Sequence, residues 1–135
     1  MGLTTKRDPL WNGLDSLLRG VRVLVVEDDA IISMEIEAIL SEAGAEIAGC
    51  CRTVKDALAL AETDGLTAAI LDVRLGRETI APVARELARR GVPFVFYTGQ
   101  IDTDMMRAEW PDCSIVSKPA QPRAIVKAVA DLLHH

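Results

Sequence analysis

The sequence predicts an α/β domain, a parallel sheet covered by helices on both faces. Three observations lead there. From residue 21 onward, short β-rich apolar runs alternate with helical patterns five times over. The chain has 135 residues, half of them hydrophobic, which suits one domain with a single sizeable core. Polar residues of distinct chemistry gather where the apolar runs end, and in open α/β sheets ligands bind beyond the carboxyl ends of the strands.

The first strand, VRVLVV (residues 21–26), has five apolar residues in six and runs straight into Glu27, Asp28 and Asp29. The helix AIISMEIEAILSEAG (30–44) follows, with Ile32, Ile36, Ile39, Leu40 and Ala43 on one face and Gly44 as its stop. AEIAGC (45–50) is the second strand. Thr53, with Asp56 three residues on, caps the helix VKDALALAE (54–62). TAAILDV (67–73) is the third strand, and IAPVARELARRG (80–91) the third helix, entered near Pro82 and ended by Gly91. PFVFYT (93–98) and CSIVSK (113–118) are the fourth and fifth strands. Between them DTDMMRAEW (102–110) has room for about two helical turns before Pro111, so the fourth helix is expected to be short or irregular. The last helix covers residues 121–133 and presents Ile125, Val126, Val129, Leu132 and Leu133.

Residues 1–20 form an N-terminal extension ahead of the domain at 21–135. Leu10, Leu14, Leu17 and Leu18 stand at helical spacing, with Pro9 near a start and Gly20 near a stop. Two readings stand: a short helix packed on the domain or a loosely ordered tail, and a docking or dimer helix that uses Trp11.

Composition excludes several classes. The net charge is −5, with 15 basic residues scattered among 20 acidic ones, which argues against a nucleic-acid surface. No apolar run approaches membrane-spanning length, and the N-terminus lacks a secretory h-region, so a cytoplasmic location is expected. Three cysteines, two of them the neighbours Cys50 and Cys51, offer no disulfide framework and no metal spacing, and read as reduced small hydrophobes.

The strand ends carry the chemistry: Glu27 and Asp28 after the first, Asp72 at the third, Thr98 at the fourth and Lys118 at the fifth. Three carboxylates brought together repel one another, and burial would drive some of them to protonate. A hard divalent cation removes that cost, and magnesium suits it, since it takes oxygen ligands, keeps waters and accepts a phosphate oxygen. A carboxylate is also a nucleophile toward a phosphoryl group, a transfer that needs charge neutralisation and positioning above all. Lys118 and the Thr98 hydroxyl fit those roles, and Gly99 leaves room beside them.

VLVVEDD, ILDVRLG, FYTG and SKP stand in this order, with 44 residues from Asp28 to Asp72, 26 more to Thr98 and 20 more to Lys118. Together they resemble the receiver domain of bacterial two-component response regulators, over residues 21 to about 133. The resemblance implies a flavodoxin-like (βα)5 doubly wound sheet with strand order 2-1-3-4-5. It implies that Asp72 is the phosphoacceptor, that Asp28 binds Mg2+ directly and Glu27 directly or through water, and that the Arg74 backbone carbonyl completes the protein's metal ligands. Thr98 and Lys118 would bind the phosphoryl group, and Lys118-Pro119 would be a cis peptide. PFVFYTGQ is also similar to the PFxFATG strand of a subgroup of alphaproteobacterial receivers, many free-standing or tied to general stress signalling. Tyr97 and Gln100 depart from that pattern.

Many receivers carry an aromatic residue three positions before the lysine; this chain has Ile115, so a switch of that kind is not expected. Tyr97 reads as a core residue with its hydroxyl satisfied, or as a substitute coupling group. Met105, Met106 and Trp110 form a contact patch if exposed and close the core if buried. Arg74 either overhangs the phosphoryl group and sets its lifetime or is a solvated surface arginine. Asp29, Asp102 and Asp104 read as helix-terminal acids.

The leading functional expectation is a single-domain receiver that takes a phosphoryl group on Asp72 from a histidine kinase or histidine phosphotransfer protein. It would then signal through a downstream protein partner or onward phosphotransfer, since a chain complete as given has no room after Leu133 for an output domain. It would be no enzyme beyond its own phosphorylation and dephosphorylation. The alternatives are a binding module on the same fold that ignores phosphorylation, and a magnesium-dependent phosphohydrolase. The latter usually needs an acid two residues after its nucleophile, where this chain has Arg74.

Overall fold

A computed structural model describes residues 16–99 and 104–133. Its sheet has five parallel strands: β1 (Arg22–Val26), β2 (Glu46–Cys51), β3 (Ala68–Leu71), β4 (Phe94–Thr98) and β5 (Ser114–Ser117). Their spatial order is β2-β1-β3-β4-β5, the doubly wound order that the resemblance implied. Among the described residues a helix follows each strand: α1 (Ala30–Glu42), α2 (Val54–Ala61), α3 (Ala81–Arg89), α4 (Asp104–Glu109) and α5 (Pro122–Asp131).

Successive strand residues point to opposite faces, so each strand feeds two cores. Val23, Val25, Ile70, Val95 and Tyr97 pack with Ile36 and Leu40 of α1 and with Ile125, Val126 and Val129 of α5. Leu24, Val26, Ala69, Leu71 and Phe96 pack on the other face with Val54 and Ala57 of α2 and with Val83, Ala84 and Leu87 of α3. β1 and β3 are buried almost throughout because helices cover both of their faces.

Local chemistry sets the helix ends. Asp29 caps α1 by accepting from the Ile31 and Ile32 amides, and Thr53 caps α2 by accepting from the Asp56 amide, both as expected. Gly44, at φ 100°, turns the chain out of α1 into β2, a conformation that a residue with a Cβ resists. α4 is the short helix predicted, six residues long.

Two features escape the sequence pattern. β2 carries a bulge, since Val23 pairs with Ile47 but Leu24 pairs with Gly49. After Asp72, the pairs Arg74–Leu75 and Glu78–Thr79 form a small antiparallel ribbon, closed where the Ile80 amide meets the Val73 carbonyl at 2.9 Å. Of the N-terminal extension, only residues 16–20 are described. They form a turn that buries Leu18 and ties its amide to the Ala43 carbonyl. Leu10, Trp11 and Leu14 lie outside the described residues, as do Gln100 and Asp102. Among the described residues no helix is long and apolar enough to cross a membrane.

Candidate functional site

β1 and β3 are neighbours, so their carboxyl ends bring Glu27, Asp28 and Asp72 together although 44 residues separate the two aspartates. One carboxylate oxygen from each lies within 4.8 Å of the others. The backbone continues the sheet to this point: the Asp72 amide donates to the Val26 carbonyl and the Glu27 amide to the Cys51 carbonyl, both at 2.9 Å. Glu27 is 1% exposed and Asp72 8%, whereas Asp28 is half-buried.

Lys118 arrives from β5, its amide bonded to the Thr98 carbonyl at 2.9 Å. Its Nζ donates to Glu27 Oε1 at 2.6 Å and to Asp72 Oδ2 at 3.0 Å. One ammonium therefore bridges two of the three acids and leaves a local surplus of negative charge beside a group able to accept a cation. Burial pushes the Glu27 carboxyl above the usual carboxylate range and the Asp72 charge adds to the rise, while hydrogen bonds from Lys118 and the Asp29 amide oppose it. Burial acts downward on Lys118, but its hydrogen bonds and charge contacts with Glu27 and Asp72 prevail and hold the ammonium above its ordinary value.

The second oxygen of Glu27 accepts from the Asp29 amide at 3.1 Å. The Asp28 carboxylate accepts from the Gly76 amide at 3.0 Å, and its carbonyl from Arg52 Nε at 3.2 Å. Neither Gly76 nor Arg52 was signalled as a site residue by the sequence. Gly76, at φ 61°, is the turn of the ribbon, and its contribution is a backbone amide that leaves no trace in residue type.

Thr98 closes β4, 1% exposed, on the same rim. Arg74 stands two residues past Asp72 with an exposed side chain. Lys118-Pro119 is cis, as the resemblance implied. Tyr97 is a core residue, its hydroxyl accepting from the Ala120 amide at 3.3 Å, and Lys118 Nζ stands 5.6 Å from its ring centroid. Ile115 packs on the α2 and α3 face. The fourth-helix trio divides: Met105 is exposed, Met106 is buried, and Trp110 meets Phe94 and Phe96 edge-on or tilted. A cavity lined by Phe94, Trp110, Cys113 and Leu132 opens at the opposite end of β4 and β5, away from this chemistry.

What the arrangement offers is a cluster of three carboxylates whose oxygens could hold a metal ion, with the Lys118 ammonium across two of them and Thr98 on the same rim. The family model for the response regulator receiver domain matches residues 23–130. The chain is 35% identical over 86 residues to the transcriptional regulatory protein PdtaR of Mycobacterium tuberculosis, a stretch that is 63% of this chain and 42% of that protein. It spans under half the length of the curated relatives it matches. Its structure resembles that of SdrG from Sphingomonas melonis Fr1, with TM-score 0.73 at 41% identity, covering 84% of this chain and 96% of that one. It also resembles the response regulator PhyR from Brucella abortus, with TM-score 0.75 at 26% identity, covering 93% of this chain and 53% of that one.

Proposed function

Because the chain belongs to the response regulator receiver domain family, we propose that it accepts a phosphoryl group on Asp72 from a phosphorylated histidine of a kinase or phosphotransfer protein. An Asp72 carboxylate oxygen attacks phosphorus, the P–N bond to the imidazole breaks, and an acyl phosphate forms as the histidine leaves. The observation that carries this reading is the convergence of Glu27, Asp28 and Asp72 within 4.8 Å, with Lys118 across two of them.

Glu27, Asp28 and Asp72, with the Arg74 carbonyl, would hold Mg2+, which when bound supplies charge neutralisation and a place for a phosphoryl oxygen. Three hard oxygen donors with a net negative charge fit that ion. Lys118 holds the Asp72 carboxylate in place before transfer and takes a phosphoryl oxygen afterward, while the Thr98 hydroxyl donates to another. The Arg74 side chain, exposed beside the acceptor, governs how freely water reaches the acyl phosphate.

The phosphorylated domain signals by altered contacts with a protein partner in the cytoplasm or by passing the group on. Likeness to SdrG and PhyR supports assignment to their subgroup. The test is the mass of the intact protein after incubation with magnesium and a small acyl-phosphate donor, beside Asp72→Asn. A single base-labile phosphoryl adduct, dependent on magnesium and absent from the variant, is expected. No adduct from either the donor or a purified histidine kinase would overturn the reading in favour of a binding module that ignores phosphorylation.

A further inference from the structure

Resting on the cation site proposed above, we infer that Arg52 is a positioning residue for that site, acting through the peptide unit that joins Asp28 to Asp29. Arg52 follows β2 directly, and its Nε donates to the Asp28 carbonyl oxygen at 3.2 Å. The N–H of the same peptide unit, that of Asp29, donates to Glu27 Oε2 at 3.1 Å. This peptide is trans, so its C=O and N–H point in opposite directions within one rigid plane. Fixing the carbonyl aims the N–H. The guanidinium on one side and the buried Glu27 carboxylate on the other hold that plane between them.

The same plane carries the backbone of Asp28, whose carboxylate reaches the Gly76 amide at 3.0 Å. On either side the chain is already tied. The Glu27 amide meets the Cys51 carbonyl at 2.9 Å, and the Asp29 carboxylate caps α1 through the Ile31 and Ile32 amides at 2.9 and 3.1 Å. Rotation of the intervening peptide would withdraw the Asp29 donor from Glu27 Oε2 and leave that carboxylate of the proposed site free to turn. Arg52 is well placed to prevent it, because it sits next to Cys51, the residue whose carbonyl anchors Glu27.

The direction of the effect separates this role from that of a nearby charge. A guanidinium beside a cation site repels the cation, so if Arg52 acted by charge alone, removing it would tighten magnesium binding. Acting by position, its removal loosens magnesium binding.

The experiment uses the full chain with magnesium alone as the probe, comparing wild type, Arg52→Ala and Arg52→Lys by calorimetric titration. The solvent exchange rate of the Asp29 amide is followed by NMR without metal. Arg52 is exposed, and far-UV circular dichroism checks that the variants keep the fold. Arg52→Ala is expected to weaken magnesium binding about tenfold, the lower end of what loss of a hydrogen bond supporting a metal ligand costs. It should also speed exchange of the Asp29 amide severalfold. Arg52→Lys, restoring charge and one donor, recovers part of both. An unchanged Asp29 amide, or magnesium binding by Arg52→Ala as tight as wild type, overturns the inference. A wild-type chain that binds no magnesium refutes the cation site instead, and the amide measurement, which needs no cation, then decides the role of Arg52 alone.

Discussion

Replacing Lys118 with methionine keeps the aliphatic stem and removes the ammonium that bridges Glu27 and Asp72 at 2.6 and 3.0 Å. Removing one partner of a fully buried pair costs about 3 to 5 kcal/mol, because the other charge stays uncompensated. Loss of an exposed pair costs about 0 to 1 kcal/mol. Here the Glu27 side chain is 1% exposed, that of Asp72 10% and that of Lys118 16%, which lies nearer the buried limit without reaching it. A loss of about 3 kcal/mol follows, a fall in Tm of about 10 °C for a domain of this size. A second effect has a definite sign. Magnesium replaces the lost positive charge, so saturating magnesium should raise the Tm of Lys118→Met by more than that of wild type. Thermal unfolding followed by circular dichroism, with chelator and with magnesium at matched ionic strength, measures both. A variant as stable as wild type in chelator would refute the reasoning, since the bridging ammonium would then contribute nothing net. An equal magnesium increment in the two proteins would refute the second half.

Two further outcomes follow from the strand-and-helix frame. A Cβ at Gly49 meets Cδ1 of Leu60, the end of a flexible side chain, so Gly49→Ala should cost about 1 to 2 kcal/mol, seen as a lower urea midpoint with an unchanged m-value. An unchanged midpoint would mean that Leu60 turns aside without cost. Burial, with the charges of Asp56 and Cys50 adding to it, pushes the Cys51 thiol from its ordinary value up to about 11. The unfolded chain therefore releases this proton first, and stability falls as pH rises from the unfolded value toward the folded one, at up to about 1.4 kcal/mol per pH unit. Cys51→Ala should flatten that alkaline limb in an unfolding series, and superimposable limbs would refute the buried-thiol account.

The sequence made the sheet legible because β1 and β3 are buried on both faces and read as unbroken apolar runs, and because Gly44, Thr53 and Gly91 mark the ends of helices. The site was legible for the same reason. A parallel sheet sends every strand end to one rim, so Glu27, Asp28, Asp72, Thr98 and Lys118 could be collected without knowing a single distance. The ribbon at residues 74–79 could not be seen, since two-residue strands are too short to show a period. The bulge in β2 is a backbone event between residues of ordinary type. That Lys118 lies on Glu27 as well as Asp72 is a choice among partners 91 and 46 residues away, which only packing decides. Arg52 and Gly76 escaped because each acts through a peptide group. Whether Met105, Met106 and Trp110 would be buried depended on how a six-residue helix is rotated, and the answer divides them.

The two half-cores are built from different side chains and share the backbone of the sheet that divides them. The sheet is thus a partition. Among the described residues, Leu40 beneath α1 and Leu87 beneath α3 belong to different core clusters, and the free energies of their truncations should add rather than interact. Each face can then accumulate changes in side-chain volume without a compensating change on the other. The carboxyl rim is where that independence ends: Glu27, Asp72, Thr98 and Lys118 come from four strands, and their bonds to one another tie both sides of the sheet to a single set of charges.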